Sequence, residues 1–196
     1  MMLQMSESFL DTMNGSIDLY IGPMFSGKST MLIRAANKYK SIGKKILAIN
    51  NKRDDRYGLG KITTHDKISI NCIMVENLNE VLSNKDYFDE FKKADIILIE
   101  ELQFFEDVSF VIKAAEEYNK KVIASGLDGD YKRNPFKSVT SLISYADNVT
   151  KLKSFCKLCS DGTPGIFSKR IIKSDSYILV GGSDVYMSVC RKHFLE

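Results

Sequence analysis

Residues 22 to 30 read GPMFSGKST, and Gly22 to Ser29 fit the spacing G-x-x-x-x-G-K-[ST]. In that spacing glycines permit a tight wrap, backbone N–H groups point at phosphate oxygens, and the following helix adds its positive end. Gly22, Pro23, Met24, Phe25, Ser26, Gly27, Lys28, Ser29 and Thr30 are therefore the candidate cradle for the phosphates of a nucleotide. Lys28 should neutralise the β- and γ-phosphates, and Ser29 should offer its hydroxyl to Mg²⁺. A chance match in a Gly/Ser-rich loop is the competing explanation. The flanks disfavour it, because IDLYI ahead is a short apolar run and TMLIRAANKYKSIG behind carries apolar residues at helical spacing.

A phosphate cradle does not say whether water or a substrate receives the γ-phosphoryl group. The stretch IILIEELQFF, residues 96 to 105, brings two consecutive carboxylates, Glu100 and Glu101, to the end of an apolar strand. Open α/β sheets bind ligands at that edge. One carboxylate can serve the metal while its neighbour, facing the other way, takes the proton from an attacking alcohol. Phe104 and Phe105 follow at once, a poor start for a solvated loop and a suitable wall for a flat ligand. Tyr131 and Phe136, inside the turn-rich LDGDYKRNPF, could stack on a planar ring such as a nucleobase or could anchor the loop to the core.

The third constellation is Cys156-x-x-Cys159, then thirty residues, then Cys190-x-x-His193. Two close pairs of thiolate or imidazole ligands suit tetrahedral Zn²⁺, and four protein ligands leave no open position for chemistry, so the site reads as structural. Unpaired thiols with an incidental histidine, or a disulfide, are the alternatives; the absence of a secretory pattern disfavours the disulfide. Zinc would clip the neck of the long loop 160–189, which has little core of its own. Within it YILVGGSDVY presents two adjacent glycines beside Tyr186, where main-chain groups could read a base edge. Cys72 falls in an apolar strand pattern and reads as a core thiol.

The elements that must hold these groups alternate between strand-like and helix-like, the pattern of a parallel sheet covered by helices. IDLYI is the first strand. The first helix is expected over Ser29 to Ile42, with Met31, Leu32, Ala35, Ala36, Tyr39 and Ile42 on one face. KILAIN and ISINCIMV read as strands, and Asn77 to Ala94 as one helix with Leu78, Val81, Leu82, Phe88 and Phe91 recurring every three or four residues. ADIILIEE is a buried strand, Val108 to Asn119 a third helix, KVIASGL another strand, and Ser138 to Tyr145 a short helical stretch. From about Val149 the strands shorten and the cysteines begin. The expected organisation is a leader over 1–14, a P-loop α/β domain over 15–148, and a small zinc-binding domain over 149–196.

Bulk properties fit this. The chain has 196 residues, 44% hydrophobic and 27% charged, and 28 basic against 25 acidic residues leave a net charge of only +3. That balance argues against a dedicated nucleic-acid binder. No apolar run approaches the roughly 18 residues of a membrane span. The N-terminal MMLQMSESFLDTMNGS has no basic region and no continuous apolar core, so a signal peptide is not expected and the cytoplasm is the expected compartment.

GPMFSGKST, EELQFF, LDGDYKRNPF and IFSKR followed by VGGSDVYMSVCRKH, in this order, resemble the type II thymidine kinase family, the cytosolic and viral kind with a zinc-held lasso loop. The resemblance runs from about Gly15 to Phe194. It implies ATP-dependent transfer of the γ-phosphoryl group to the 5′-hydroxyl of thymidine, and of deoxyuridine too, in pyrimidine deoxynucleoside salvage. Glu101 matches the family's catalytic base, and Arg56 falls where the family keeps an arginine near the transferring phosphate. Phe104, Tyr131 and Phe136 match its base-packing aromatics. Leu127, Met24 and Ser168 fall near its 5-methyl site, and Tyr186 matches the tyrosine bordering sugar and methyl. Main-chain groups of Leu179, Val180, Gly181 and Gly182 would bind the pyrimidine edge. A homotetramer inhibited by thymidine triphosphate is the corresponding expectation.

The chain departs from the family pattern at several places. Glu100 stands where the family has aspartate, Tyr131 where phenylalanine is usual, and CSDGTPGIFS is longer than in many relatives. His65, in THD, is given no role. A P-loop hydrolase would share the cradle, and a zinc-ribbon nucleic-acid binder would share the cysteines and basic stretches such as KRNPFK. Neither explains the carboxylate pair, the aromatics and the double glycine together.

Overall fold

The computed structural model of the chain describes residues 15–54, 58, 60–64, 66–174 and 179–196. The expected leader, Arg56 and His65 lie outside them. In chain order the elements are β1 (Ser16–Ile21), α1 (Lys28–Lys40), β2 (Ile46–Asn51), β3 (Lys61–Thr63), β4 (Ser69–Asn71), β5 (Ile73–Val75), α2 (Glu80–Ser83), α3 (Lys85–Lys93) and β6 (Ile96–Ile99). A 3₁₀ turn over Leu102–Phe104 follows. Then come α4 (Ser109–Glu116), β7 (Lys121–Gly126), α5 (Lys137–Thr140), β8 (Asn148–Lys151), β9 (Ser154–Phe155), β10 (Pro164–Gly165), β11 (Phe167–Arg170), β12 (Tyr186–Val189) and α6 (Arg191–Leu195).

Six strands form the central sheet in the order β5-β2-β6-β7-β1-β8, and every pairing in it is parallel. Side chains alternate across it as strand geometry requires. Ile97 and Ile99 join Ile17, Leu19, Val122 and Ala124 on one face, under Phe91 of α3 and Phe110 of α4. Ile96, Leu98 and Ile123 point the other way, against Leu32, Ile33 and Ala36 of α1. With both faces covered, the middle strands read as continuous apolar runs rather than alternating ones. Among the described residues no helix is long and apolar enough to cross a membrane.

Several expected elements differ. Helix α1 stops at Lys40, so Ile42 lies beyond it and is 68% exposed, while Ile33, outside the expected stripe, is buried. ISINCIMV is two strands: β4 pairs antiparallel with β3, and β5 joins the sheet edge. The expected single helix over Asn77 to Ala94 is broken at Asn84, whose extended backbone and side chain cap α3 by accepting from the amides of Asp86 and Tyr87 at 2.9 and 3.2 Å. A good N-cap residue inside an amphipathic run starts a new helix there. The short helix α5 ends at Thr140, leaving Ile143 and Tyr145 in exposed turns. The boundary expected between 148 and 149 falls inside β8, which pairs with β1 at the sheet edge; the chain leaves the sheet only after Lys151.

Candidate active site

The carboxyl ends of β1, β6 and β7 open into a cleft of about 1100 Å³. The phosphate loop runs from β1 into α1. Gly22 is required by close approach: a Cβ there would meet the carbonyl oxygen of Leu152 at 2.5 Å, and its φ is +144°. Gly22 and Pro23 are buried behind the loop rather than along the cleft, whereas Met24 through Thr30 line it. The Pro23 carbonyl accepts from Ser26 Oγ and from Lys28 Nζ, both at 2.8 Å, which holds the lysine against the loop it would otherwise extend from. The Met24 amide donates to Ser168 Oγ at 2.9 Å, tying the phosphate loop to β11.

Glu100 and Glu101 leave the end of β6 in different directions. Glu100 is buried, its Oε1 accepting from Ser29 Oγ at 2.6 Å and its Oε2 from Ser125 Oγ at 2.7 Å. Burial, reinforced by the neighbouring Glu101 charge, pushes its carboxyl up to about 7, against the pull of the two serine hydroxyls and Lys28. Glu101 takes the left-handed conformation, φ 52°, which turns the chain out of the strand and into the 3₁₀ turn. Its Oε2 accepts a hydrogen bond from Gln103 Nε2, and Gln103 Oε1 accepts from the Leu127 amide at 2.9 Å. Gln103 thus bridges the carboxylate and the end of β7.

The same turn separates the two phenylalanines. Phe104 lines the cleft, while Phe105 is 1% exposed in the main core and is no ligand wall; sequence alternation past Glu101 cannot foresee a 3₁₀ turn. Tyr131 and Phe136 both line the cleft, and Phe136 also packs on the core, anchoring the loop there. Their loop is organised by Asp130, which is buried and accepts from the amides of Lys132 and Asn134, each at 2.8 Å. Leu127, Ser168, Leu179, Val180, Gly181, Gly182 and Tyr186 line the same cleft. Gly181 admits no side chain, since a Cβ would stand 2.4 Å from Val185 Cγ2. Tyr186 Oη donates to the Leu179 carbonyl at 2.8 Å.

Motif spacing does not point to Gln103, Ser125 or Asp130, nor to Asn50 and Asp54, which line the cleft joined by a 3.1 Å hydrogen bond. Buried polar residues with satisfied partners are signalled weakly in sequence, though a glutamine two residues after the candidate base was one such signal.

Cys156, Cys159, Cys190 and His193 come together with all four ligand atoms within 4.8 Å of one another. His193 Nδ1 lies 3.4, 3.3 and 3.4 Å from the sulfurs of Cys156, Cys159 and Cys190, and the Cys159 and Cys190 sulfurs are 3.8 Å apart. Tetrahedral zinc with ordinary Zn–S and Zn–N bonds needs edges of about 3.8 Å between sulfurs and about 3.5 Å between sulfur and nitrogen. The residues fit the ion, and Nδ1 is the nitrogen that faces it. Cys72 stands apart, half-buried against the second core cluster, as expected of a core thiol.

A family model described as thymidine kinase matches residues 15–194. The thymidine kinase of Oryza sativa subsp. japonica is 42% identical over 184 residues, which cover 93% of this chain and 67% of the rice protein. The thymidine kinase of rabbit fibroma virus (strain Kasza) is 39% identical over 178 residues, 91% of this chain and 95% of the viral one. That of vaccinia virus (strain Western Reserve) is 40% identical over 183 residues, 93% and 98% of the two chains.

Proposed function

The chain belongs to the thymidine kinase family, and from that premise we propose how its own residues carry the transfer of the γ-phosphoryl group of ATP to the 5′-hydroxyl of thymidine, giving thymidine monophosphate and ADP. The observation that carries the assignment is convergence: phosphate loop, paired carboxylates and three cleft-lining aromatics border one cleft.

The amides of residues 25–30 bind the donor phosphates, the Met24 amide being engaged by Ser168, and Lys28 Nζ exchanges the Pro23 carbonyl for a phosphate oxygen. Ser29 and Glu100, already in hydrogen-bond contact, would hold Mg²⁺ at the β/γ-phosphates. When bound, that ion neutralises charge on the transferring group. Glu100 serves this role with a longer arm than the family's aspartate, braced by Ser125. Thymine is packed by Phe104, Tyr131 and Phe136, with its methyl group toward Met24, Leu127 and Ser168. Gly182 engages its amide with Asp184 Oδ1 and its carbonyl with the amides of Val185 and Tyr186, so the pyrimidine edge falls to main-chain groups of Val180 and Gly181.

Glu101 is the general base. Positioned by Gln103, its carboxylate takes the 5′-hydroxyl proton as the alcohol oxygen attacks phosphorus in line and the ADP oxygen departs. Arg56 is assigned to the transferring phosphate from the resemblance alone, since it lies outside the described residues. The cysteine–histidine cluster would hold zinc, a closed site that cross-links the lasso and offers no position to substrate. We divide the chain into a kinase layer ending after β8 and a zinc-held lasso. A cytoplasmic homotetramer inhibited by thymidine triphosphate completes the proposal, with deoxyuridine as a second acceptor.

The test is ATP-dependent conversion of thymidine, deoxyuridine, deoxycytidine and deoxyguanosine with Mg²⁺, each beside a control lacking acceptor. Product from thymidine and deoxyuridine alone supports the pocket assignment. ADP released equally with and without nucleoside would contradict it.

A further inference from the structure

Arg170, at the end of β11, is half-buried behind the pocket wall and is not among the cleft-lining residues. It is the register partner of Tyr186 across the antiparallel β11/β12 pair. Its guanidinium carbon lies 3.7 Å from the ring centroid of Tyr131. One terminal nitrogen donates to Tyr186 Oη at 3.1 Å and the other to the Ser174 carbonyl at 3.3 Å. Tyr186 Oη in turn donates to the Leu179 carbonyl at 2.8 Å. One planar cation therefore meets loop 128–136 directly, β12 directly, and the 179–182 segment through a single hydroxyl.

We propose that Arg170 is a positioning residue for nucleoside recognition, fixing the ring plane of Tyr131 and the hydroxyl of Tyr186 relative to the main chain at 179–182 without itself touching the nucleoside. This rests on the assignment of Tyr131, Tyr186 and residues 179–182 to the nucleoside pocket. The chemistry requires arginine. Its planar face stacks on an aromatic ring while its in-plane donors stay directed to oxygen, and a lysine ammonium supplies neither the flat face nor the fixed fork.

Arg170 orients the loop rather than docking it. From the same loop Arg133 places its guanidinium 4.6 Å from the ring of Phe194 and 5.5 Å from that of Phe167. Phe194 follows the zinc-facing His193, so this second contact fastens the loop to the zinc end of the lasso independently of Arg170. Loss of the Arg170 guanidinium should then leave fold and metal intact while the pocket walls lose their mutual alignment.

Steady-state kinetics of the full-length enzyme, with thymidine and ATP varied in turn and zinc content measured, test this in Arg170→Met, Arg170→Lys, Tyr131→Leu and the double variant Arg170→Met/Tyr131→Leu. Arg170→Met should raise the thymidine KM about tenfold, the loss of one stacked cation and its hydrogen bond. The ATP KM should stay within about twofold, and zinc should stay bound, because the phosphate loop and the cluster do not use this contact. Arg170→Lys should lose nearly as much, and it decides the matter if the methionine variant does not fold. The double variant should lose less than the product of the single losses.

A thymidine KM within about twofold of wild type in both arginine variants, with Tyr131→Leu raising it, would overturn the positioning role and leave the pocket standing. Thymidine and ATP constants rising together with loss of zinc would overturn it in favour of a general structural role. An unchanged thymidine KM in Tyr131→Leu would remove the pocket assignment and this inference with it.

Discussion

Replacing Glu100 by glutamine should shift the stability of the ligand-free protein relative to wild type in the variant's favour as pH rises. The Glu100 carboxyl titrates near 7 in the folded chain against an ordinary value of 4.5. A folded-state value above the unfolded one contributes stability that is fully present below the unfolded value and is lost as pH rises through the folded one. Between pH 5 and pH 8.5 the wild-type protein should therefore lose about 2–3 kcal/mol that the glutamine variant, which does not titrate, retains. In a chain of this size each kcal/mol moves Tm by about 2–4 °C, so the Tm difference should shift by about 5–10 °C in favour of the variant. Thermal unfolding of both proteins in magnesium-free buffer at the two pH values is the assay. A Tm difference that stays constant, or moves in favour of wild type as pH rises, would refute the reasoning. The same substitution should abolish turnover, because an amide is a poor partner for the ion that the Ser29–Glu100 pair would hold.

Gly22→Ala should destabilise the protein by about 2 kcal/mol, since a Cβ would stand 2.5 Å from the Leu152 backbone carbonyl at a φ of +144°; chemical denaturation measures it, and an unchanged midpoint would contradict the close approach. Cys72, whose thiol is pushed up to about 12 mainly by burial, should lag behind an unhindered thiol by about 100-fold or more toward a disulfide reagent at pH 8. Chelation should release the three cluster thiols quickly with Cys72 following slowly, and four equal rates would show the burial argument wrong. Cys156→Ser should release zinc and raise the thymidine KM by loosening the lasso; metal retention with normal kinetics counts against the structural role of the cluster.

Much of the site was legible because its chemistry is bound to spacing. A phosphate loop needs its glycines and lysine at fixed offsets, and CxxC with CxxH needs little more than its neck brought together. The central strands were legible for a simpler reason: Ile96–Ile99 and Val122–Ala124 are buried on both faces and read as unbroken apolar runs. What escaped was set by local backbone choices with weak sequence signals. Asn84 divides an otherwise continuous helical stripe by capping it from inside. The left-handed Glu101 breaks the strand's alternation, which sends Phe105 to the core, keeps Phe104 in the cleft and brings Gln103 back onto the carboxylate. Asp130 organises its loop from within the cleft through main-chain amides, and Arg170 braces a pocket wall from behind through partners such as Tyr131 and Tyr186 that are distant in sequence, and composition carries no trace of either.

In the proposed mechanism Glu101 removes the proton of the 5′-hydroxyl. Glu101→Gln, which nearly preserves shape, should be compared with wild type by single-turnover rates and by direct binding of thymidine and ATP. The rate of transfer should fall by about 10²- to 10⁴-fold, the usual worth of a general base, while both binding constants stay within about threefold. Weakened nucleoside binding with the transfer rate unchanged would contradict the assignment and make Glu101 a binding group instead.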